Sequence, residues 1–444
     1  MKWSPGRFVG SKAPSRELTK DTAWSLGYQA LALTANLMSF YLLGRHLGPS
    51  GYGLYVALYA IITPLGAFAY SGTMLTMMQH ALRERQERTS VIRSCLSLTI
   101  SQGAALAVAG TAITHLILPK LDLATIALII ASELMVTPLI EFAATTTQMI
   151  GGFAASTPYR MAPIVAKVGS LAVLTAFDRL TLASVAIVYV FTNAVLAAIS
   201  LRIVVRRYSV DVRPGQIQRD HLRDSVTFAA GMSALSFQND SDKLMLSAYH
   251  FEREGGLYSA AYRIVQLGLV PISALVAATH IRFLDHDSFQ YNQHLHRSMK
   301  YASVAFVYAV VVAIALWFAA PLPGLLIGSQ FEESTTIIRF LVPLVPLRAL
   351  SSFPMNGLVG LGRVRLRTTL LLVSAVVSFI AYIILIPRYT WKGAVWGTML
   401  SELFLVICTW SALVRVQRQH NAKLRTHTGE SAKMVGRSAS KNGT

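Results

Sequence analysis

Long stretches without a charged side chain alternate along this sequence with short polar segments. No Asp, Glu, Lys or Arg occurs in 22–44, 46–82, 94–119, 180–201, 264–281, 301–331 or 368–387. A helix crosses a bilayer with roughly 20 apolar residues, so each stretch holds one span. The stretch 46–82 follows a turn-rich string, Gly44-Arg45-His46-Leu47-Gly48-Pro49-Ser50-Gly51, and reads as a loop followed by a helix. Five further apolar segments, near 123–149, 161–177, 222–249, 336–359 and 393–414, carry one or more charges. The pattern predicts an all-α, polytopic membrane protein with about twelve transmembrane helices.

The basic residues set the orientation. With the N-terminus in the cytoplasm, the segments 1–20, 82–93, 151–167, 202–223, 281–300, 358–368 and 415–444 hold 30 Lys and Arg, and the opposite face holds seven. Arg263, Arg339 and Arg348 fall inside or at the edge of spans. The bias alternates loop by loop, as the positive-inside rule requires, and predicts both termini on the cytoplasmic side. The 444 residues carry 40 Lys and Arg against 21 Asp and Glu. In a water-soluble chain that balance suggests a nucleic-acid partner, whereas here it follows from topology, and no nucleic acid is expected. Residues 1–20 are polar and basic, so the first span is read as retained and not as a removed signal.

One short string occurs twice. Gly53-Leu54-Tyr55-Val56-Ala57-Leu58-Tyr59 agrees with Gly256-Leu257-Tyr258-Ser259-Ala260-Ala261-Tyr262 at five of seven positions, 203 residues apart. Both copies open an even-numbered span after a polar loop, with six spans between them. This predicts two six-helix lobes related by an axis along the membrane normal, the usual build of a secondary transporter. The expected organisation is a cytoplasmic N-terminus over 1–20, a first lobe over 21–210, a second over 211–415, and a cytoplasmic tail without regular structure over 416–444.

Ionisable groups at membrane depth cost about 2.5–3.5 kcal/mol each on insertion scales, so those present face a cavity or a partner. The basic candidates are Lys167, Arg263, Arg339 and Arg348, joined by Arg45 in the loop between the first two spans. They read either as a cationic cavity for a phosphate or diphosphate, or as halves of ion pairs that fasten helices. Arg348 has no acid nearer in sequence than Glu333, fifteen residues before it, which favours the cavity. The acidic candidates are Glu133, Glu141, Glu402 and Asp240, read either as proton- or sodium-coupling groups or as counter-charges. Glu133 and Glu141, eight residues apart, share a helix face. Asp240 and Asp242 flank the position of Lys243 closely enough for a local ion pair. His286, His294 and His296 lack the companions that zinc needs. No catalytic residue, metal site or cofactor is predicted, and no loop has room for a soluble catalytic domain.

Three strings then carry a family likeness: Gly44-Arg45-His46-Leu47-Gly48-Pro49 with Tyr52-Gly53; Asp242-Lys243-Leu244-Met245-Leu246 with Gly256-Leu257-Tyr258-Ser259-Ala260-Ala261-Tyr262; and Leu385-Ile386-Pro387-Arg388-Tyr389 with Gly393-Ala394. In that order, at those spans, the chain resembles the polysaccharide flippases, the Wzx-type branch of the multidrug/oligosaccharidyl-lipid/polysaccharide exporter superfamily. The resemblance runs from about residue 15 to 415. It implies two six-helix lobes around a central cavity, and alternating access that moves an undecaprenyl-diphosphate-linked oligosaccharide across a bacterial inner membrane. It also implies coupling to an ion gradient, contact with membrane lipids, and polysaccharide polymerase and chain-length proteins as partners. One departure stands out: relatives often carry an acid before the glycine at the end of span two, where this chain has Ser71-Gly72. The competing functions are a drug or cation exporter of the same superfamily, which needs an acid-dominated cavity, a lipid II flippase, and a membrane polymerase or ligase, which needs a large external loop.

Overall fold

Two glycines bend helices that are too long for one crossing. In the computed structural model, which describes residues 16–83, 87–208, 210–284 and 294–441, the first helix, α1, runs Arg16–Gly66. At 1.5 Å per residue its 51 residues would reach about 77 Å, more than twice a hydrocarbon core. At Gly48 the backbone leaves helical geometry, with φ 67° and ψ 179°, a conformation that only glycine adopts without strain. A second break, at Gly152 with φ 80°, divides the 40-residue helix Thr137–Ala176. The loops expected at 44–51 and within 151–167 are therefore single-residue breaks at which two helices abut.

The remaining helices follow in order: α2 Gly72–Met78, α3 Arg88–Ile117, α4 Leu123–Ala131, α5 Thr137–Ala176, α6 Leu182–Tyr208, α7 Arg219–Ala248, α8 Glu252–Leu284, α9 His294–Ala319, α10 Leu322–Ile327, α11 Ser334–Leu341, α12 Leu344–Gly360, α13 Val364–Tyr389 and α14 Trp391–Lys441. Short π-helical turns at Ala67–Ser71 and Ser132–Val136 splice α1 to α2 and α4 to α5. Among the described residues, eight helical stretches are long and apolar enough to cross a membrane. Two of them, Ala23–Leu82 and Leu123–Ala176, have the length of two spans each. The pair α11 and α12, bent by 45°, forms another. The 30-residue α7 is long enough but carries too many charges to stand out by apolarity. The architecture is all-helical and agrees with twelve spans.

Two compact units divide the chain. One takes in the chain up to Leu47 together with Ile61–Ser233, and the other takes in Gly48–Ala60 together with Ala234 onward. The division falls at 233/234 instead of 210/211 because the connecting segment and the first half of α7 are fastened to α3. Ser90, Ser94 and Ser97 form a stripe on α3. Ser94 accepts from the backbone N–H of Gln218 at 3.2 Å, Ser90 accepts from its side chain at 3.1 Å, and Ser97 donates to the Gly215 carbonyl at 2.7 Å. His80 sits 2.9 Å from Asp224, and Thr73 shares a 2.8 Å hydrogen bond with Ser225. The segment past residue 415 departs from expectation too: α14 stays helical to Lys441, and no Gly or Pro interrupts 398–428.

The two copies of the repeated string meet inside the second unit, and they meet reciprocally. A Cβ built on Gly53 would lie 2.0 Å from the Glu252 carbonyl oxygen, and one on Gly256 would lie 1.9 Å from the Pro49 carbonyl oxygen. Each glycine faces the carbonyl four residues ahead of the other. The duplicated glycines are thus a close backbone crossing, in the manner of small-residue contacts between membrane helices.

Gly256→Ala is expected to destabilise the protein by about 1–3 kcal/mol or more, because the clash is with backbone and not with a flexible side chain. Gly169→Ala, where nothing lies within 4 Å, is expected to be neutral or to stabilise by about 0.5–1 kcal/mol. Thermal unfolding of both variants in detergent checks the contrast.

Candidate functional site

Charged side chains at membrane depth collect into one network in each unit, and they are paired. In the second unit Arg348, on α12 just past the bend, donates from Nε to Glu402 Oε1 of α14 at 2.9 Å and from Nη2 to the Tyr262 hydroxyl of α8 at 2.7 Å. Ser351 reaches the other Glu402 oxygen at 3.5 Å. The Tyr262 ring also lies 4.2 Å from Lys243 Nζ, a cation–π contact that joins this cluster to the next. Lys243 Nζ donates to the Asn239 carbonyl at 2.6 Å, to Asp240 at 3.1 Å and to Asp242 at 3.2 Å. Asp242 accepts from the Tyr258 hydroxyl at 2.7 Å, and Thr398 links Tyr258 to Tyr382. The network holds three carboxylates and two cations.

The first unit carries a two-rung ladder. Lys167 on the second arm of α5 bonds Glu133 in the π-helical turn Ser132–Val136, and its ammonium lies 5.4 Å from the Tyr189 ring. Arg160, seven residues earlier on the same face, donates from Nε to Glu141 at 3.2 Å and from Nη1 to Gln148 at 3.0 Å. The spacing of seven on one side matches the spacing of eight on the other, so helical periodicity alone lines up both rungs. Asn193 of α6 braces the π-helical turn through Ser132 at 2.9 Å. A π-turn widens the helix by one residue, which re-aims Glu133 relative to a regular helix.

Of the basic candidates, the structure joins Arg348 to Glu402 and Lys167 to Glu133. Both pairs are of the kind that fastens helices. Arg348 finds its acid 54 residues away, a separation that no local reading of the sequence would reveal. Arg263 stands over the Tyr52 ring at 5.9 Å, the exposed Arg339 over the Trp317 ring at 5.4 Å, and the exposed Arg45 donates to Tyr41 one helical turn earlier. For these three the contacts described are with aromatic side chains. The acids Glu133, Glu141, Glu402 and Asp240 all belong to one network or the other. Arg160 was expected in a cytoplasmic loop, but the helix resumes directly after Gly152 and carries it inward. Its position seven residues before Lys167 was the available signal. Tyr258, Tyr262 and Tyr382 had none beyond the repeat.

An all-helical, multi-pass membrane protein with polar networks buried at depth is the build of a transporter. The sequence matches the family described as polysaccharide biosynthesis protein over residues 18–281, more than half of the chain, and it belongs to that family. Solved structures share the fold. A multidrug resistance MATE family transporter of the MOP superfamily, in an inward-facing conformation, superposes with a TM-score of 0.70 at 13% identity, covering 89% of this chain and 99% of its own. The lipid II flippase MurJ, in an inward closed conformation, gives 0.68 at 13% identity, covering 89% and 88%. A MOP superfamily transporter from Pyrococcus furiosus, noted for a binding pocket of reverse polarity, gives 0.60 at 13% identity, covering 90% and 96%. No curated protein sequence matches this one. The chain therefore has the fold of these MOP superfamily proteins.

Breaking one partner of a buried pair leaves an uncompensated charge, which costs about 3–5 kcal/mol. Arg348→Met and Glu402→Gln are each expected to lower folded yield and thermal stability strongly, while the double variant recovers part of the loss. A coupling of roughly 0.5–3 kcal/mol in a double-mutant cycle, read by thermal unfolding in detergent, is the expected result. Additive losses would mean that the pair does not act as one.

Proposed function

We propose that this protein moves undecaprenyl-diphosphate-linked oligosaccharide from the cytoplasmic to the periplasmic leaflet of a bacterial inner membrane, for assembly of a surface polysaccharide. The observation that carries the reading is the set of cations held in ion pairs among apolar helices, Arg160, Lys167, Lys243 and Arg348, in a chain of the polysaccharide biosynthesis protein family. A diphosphate needs cations that the bilayer would otherwise exclude, and arginine offers it two parallel donors. The lipid tail stays in the bilayer while the headgroup crosses a wet interior. Alternating access returns the site to each face in turn, and the carboxylates Glu133, Glu141, Glu402 and Asp240 couple the cycle to an ion gradient. Arg263, Arg339 and Arg45 extend the attraction towards the headgroup. Both termini face the cytoplasm, and a polymerase with its chain-length partner consumes the product.

A second reading has one observation in its favour. Within the network of the second unit the carboxylates outnumber the cations by three to two, a balance that suits a cationic substrate, as in an exporter. A strain lacking the gene separates the two. Under the flippase reading, surface polysaccharide is lost and the lipid-linked intermediate accumulates in the cytoplasmic leaflet, scored by its inaccessibility to a periplasmic glycosidase. Unchanged polysaccharide together with greater sensitivity to cationic drugs would replace it with the exporter.

A further inference from the structure

The cations of the two units are held differently. Arg348 spends Nε on Glu402 and Nη2 on Tyr262, so both ends of its side fork are taken. Arg160 has Nε on Glu141 Oε2 at 3.2 Å, and Nη1 on Gln148 at 3.0 Å and on Ser156 at 3.4 Å. None of these bonds uses Nη2. The carboxylate therefore holds one tooth of the fork only, at a length well beyond the 2.7–2.9 Å of strong charge-assisted bonds. The Arg160 and Glu141 side chains keep 17% and 27% of their surface exposed.

Position matters as much as bonding. Arg160 is eight residues past Gly152 and Glu141 eleven before it, so both lie about 12–17 Å from the bend along their arms of α5. That is mid-depth, where an exposed ion pair faces water and not acyl chains. Tyr28 of α1 is within electrostatic reach of both partners, and Tyr70 is within reach of Glu141 and Glu133. Residues of the first, second, fourth and fifth spans thus meet around the pair. Glu141 and Gln148 sit on one arm of the bent helix and Arg160 on the other, so the bonds latch the two arms across Gly152.

We propose that Arg160 is a diphosphate contact of the substrate and that Glu141 is a built-in competitor for it. A diphosphate oxygen pair can take Nε and Nη2 together, which the single carboxylate oxygen does not. Substrate entry then displaces Glu141 and opens the latch across Gly152, and substrate departure closes it again. The ladder is a resting lock that a sufficiently acidic headgroup unfastens. The inference rests on the flippase reading and adds to it the residue that takes the headgroup and the group that must yield.

Binding of undecaprenyl diphosphate to the full-length protein in nanodiscs tests it, with uncharged undecaprenol as the control and the thermal stability of each variant measured alongside. Arg160→Gln is expected to weaken diphosphate binding by roughly tenfold or more, the worth of a hydrogen bond to a charged group. Glu141→Gln is expected to tighten it several-fold, a sign that a purely structural pair cannot produce. The double variant stays weak, because the gain acts only through Arg160. It also decides the matter should either single variant fail to fold. Wild-type protein that does not prefer the diphosphate to undecaprenol would overturn the flippase reading and this inference with it. A wild-type preference with Arg160→Gln or the double variant unweakened, or with Glu141→Gln failing to tighten, would overturn this inference alone.

Discussion

A charge in hydrocarbon has no water to lean on, and the rest of this structure is arranged around that fact. An unpaired ion would cost several kcal/mol in hydrocarbon, so each cation drawn into a network has a carboxylate beside it: Lys167 with Glu133, Arg160 with Glu141, Lys243 with Asp240 and Asp242, Arg348 with Glu402. The partners sit on different helices or on different arms of one bent helix in three of the four cases. Fixing the charges therefore fixes the helices. The bend at Gly152, the π-helical turn under Glu133 and the break before Arg348 are backbone adjustments beside the paired residues.

The same pairing changes what a cationic cavity means. Taken alone, Arg348 and Lys167 suggest an anion site with positive charge to spare. Paired, they form networks that are close to neutral, and an anion gains a cation only by displacing a carboxylate. Binding becomes an exchange of partners. An exchange of this kind is also a switch, since the displaced group no longer ties the helix it came from. In the Arg160–Glu141 pair one carboxylate oxygen holds one nitrogen of the fork, and none of the arginine's bonds uses Nη2, which is where such an exchange can begin.

Most of the fold was legible in the sequence, and the site much less so. Charge-free stretches long enough to cross a bilayer are a one-dimensional property, and the alternation of basic loops checks their number independently. The repeated string pointed to duplication, and the structure gives it a further meaning: Gly53 and Gly256 meet because neither has a side chain. Bend positions were harder. A single glycine with positive φ turns a helix without the polar loop that a sequence reader looks for, so Arg160 was assigned to a loop that does not exist. Pairing was harder still. Arg348 and Glu402 are 54 residues apart, and only packing brings them together. Local ion pairs, such as Lys243 with Asp240 and Asp242, could be read directly because they lie within three residues.

The two halves share a scaffold but not a chemistry. Carried back by the repeat offset of 203, Lys243, Arg348 and Glu402 fall on Phe40, Thr145 and Ile199, none of them charged. The tyrosines persist, Tyr55 and Tyr59 against Tyr258 and Tyr262, and each pair packs ring to ring. In the second copy the tyrosine pair holds ions, with Tyr262 bridging Lys243 and Arg348 and Tyr258 holding Asp242. The first half built its charges elsewhere, along the two arms of α5. The bonding differs accordingly: both ends of the Arg348 side fork are taken in one network, whereas the bonds of Arg160 in the other leave Nη2 unused.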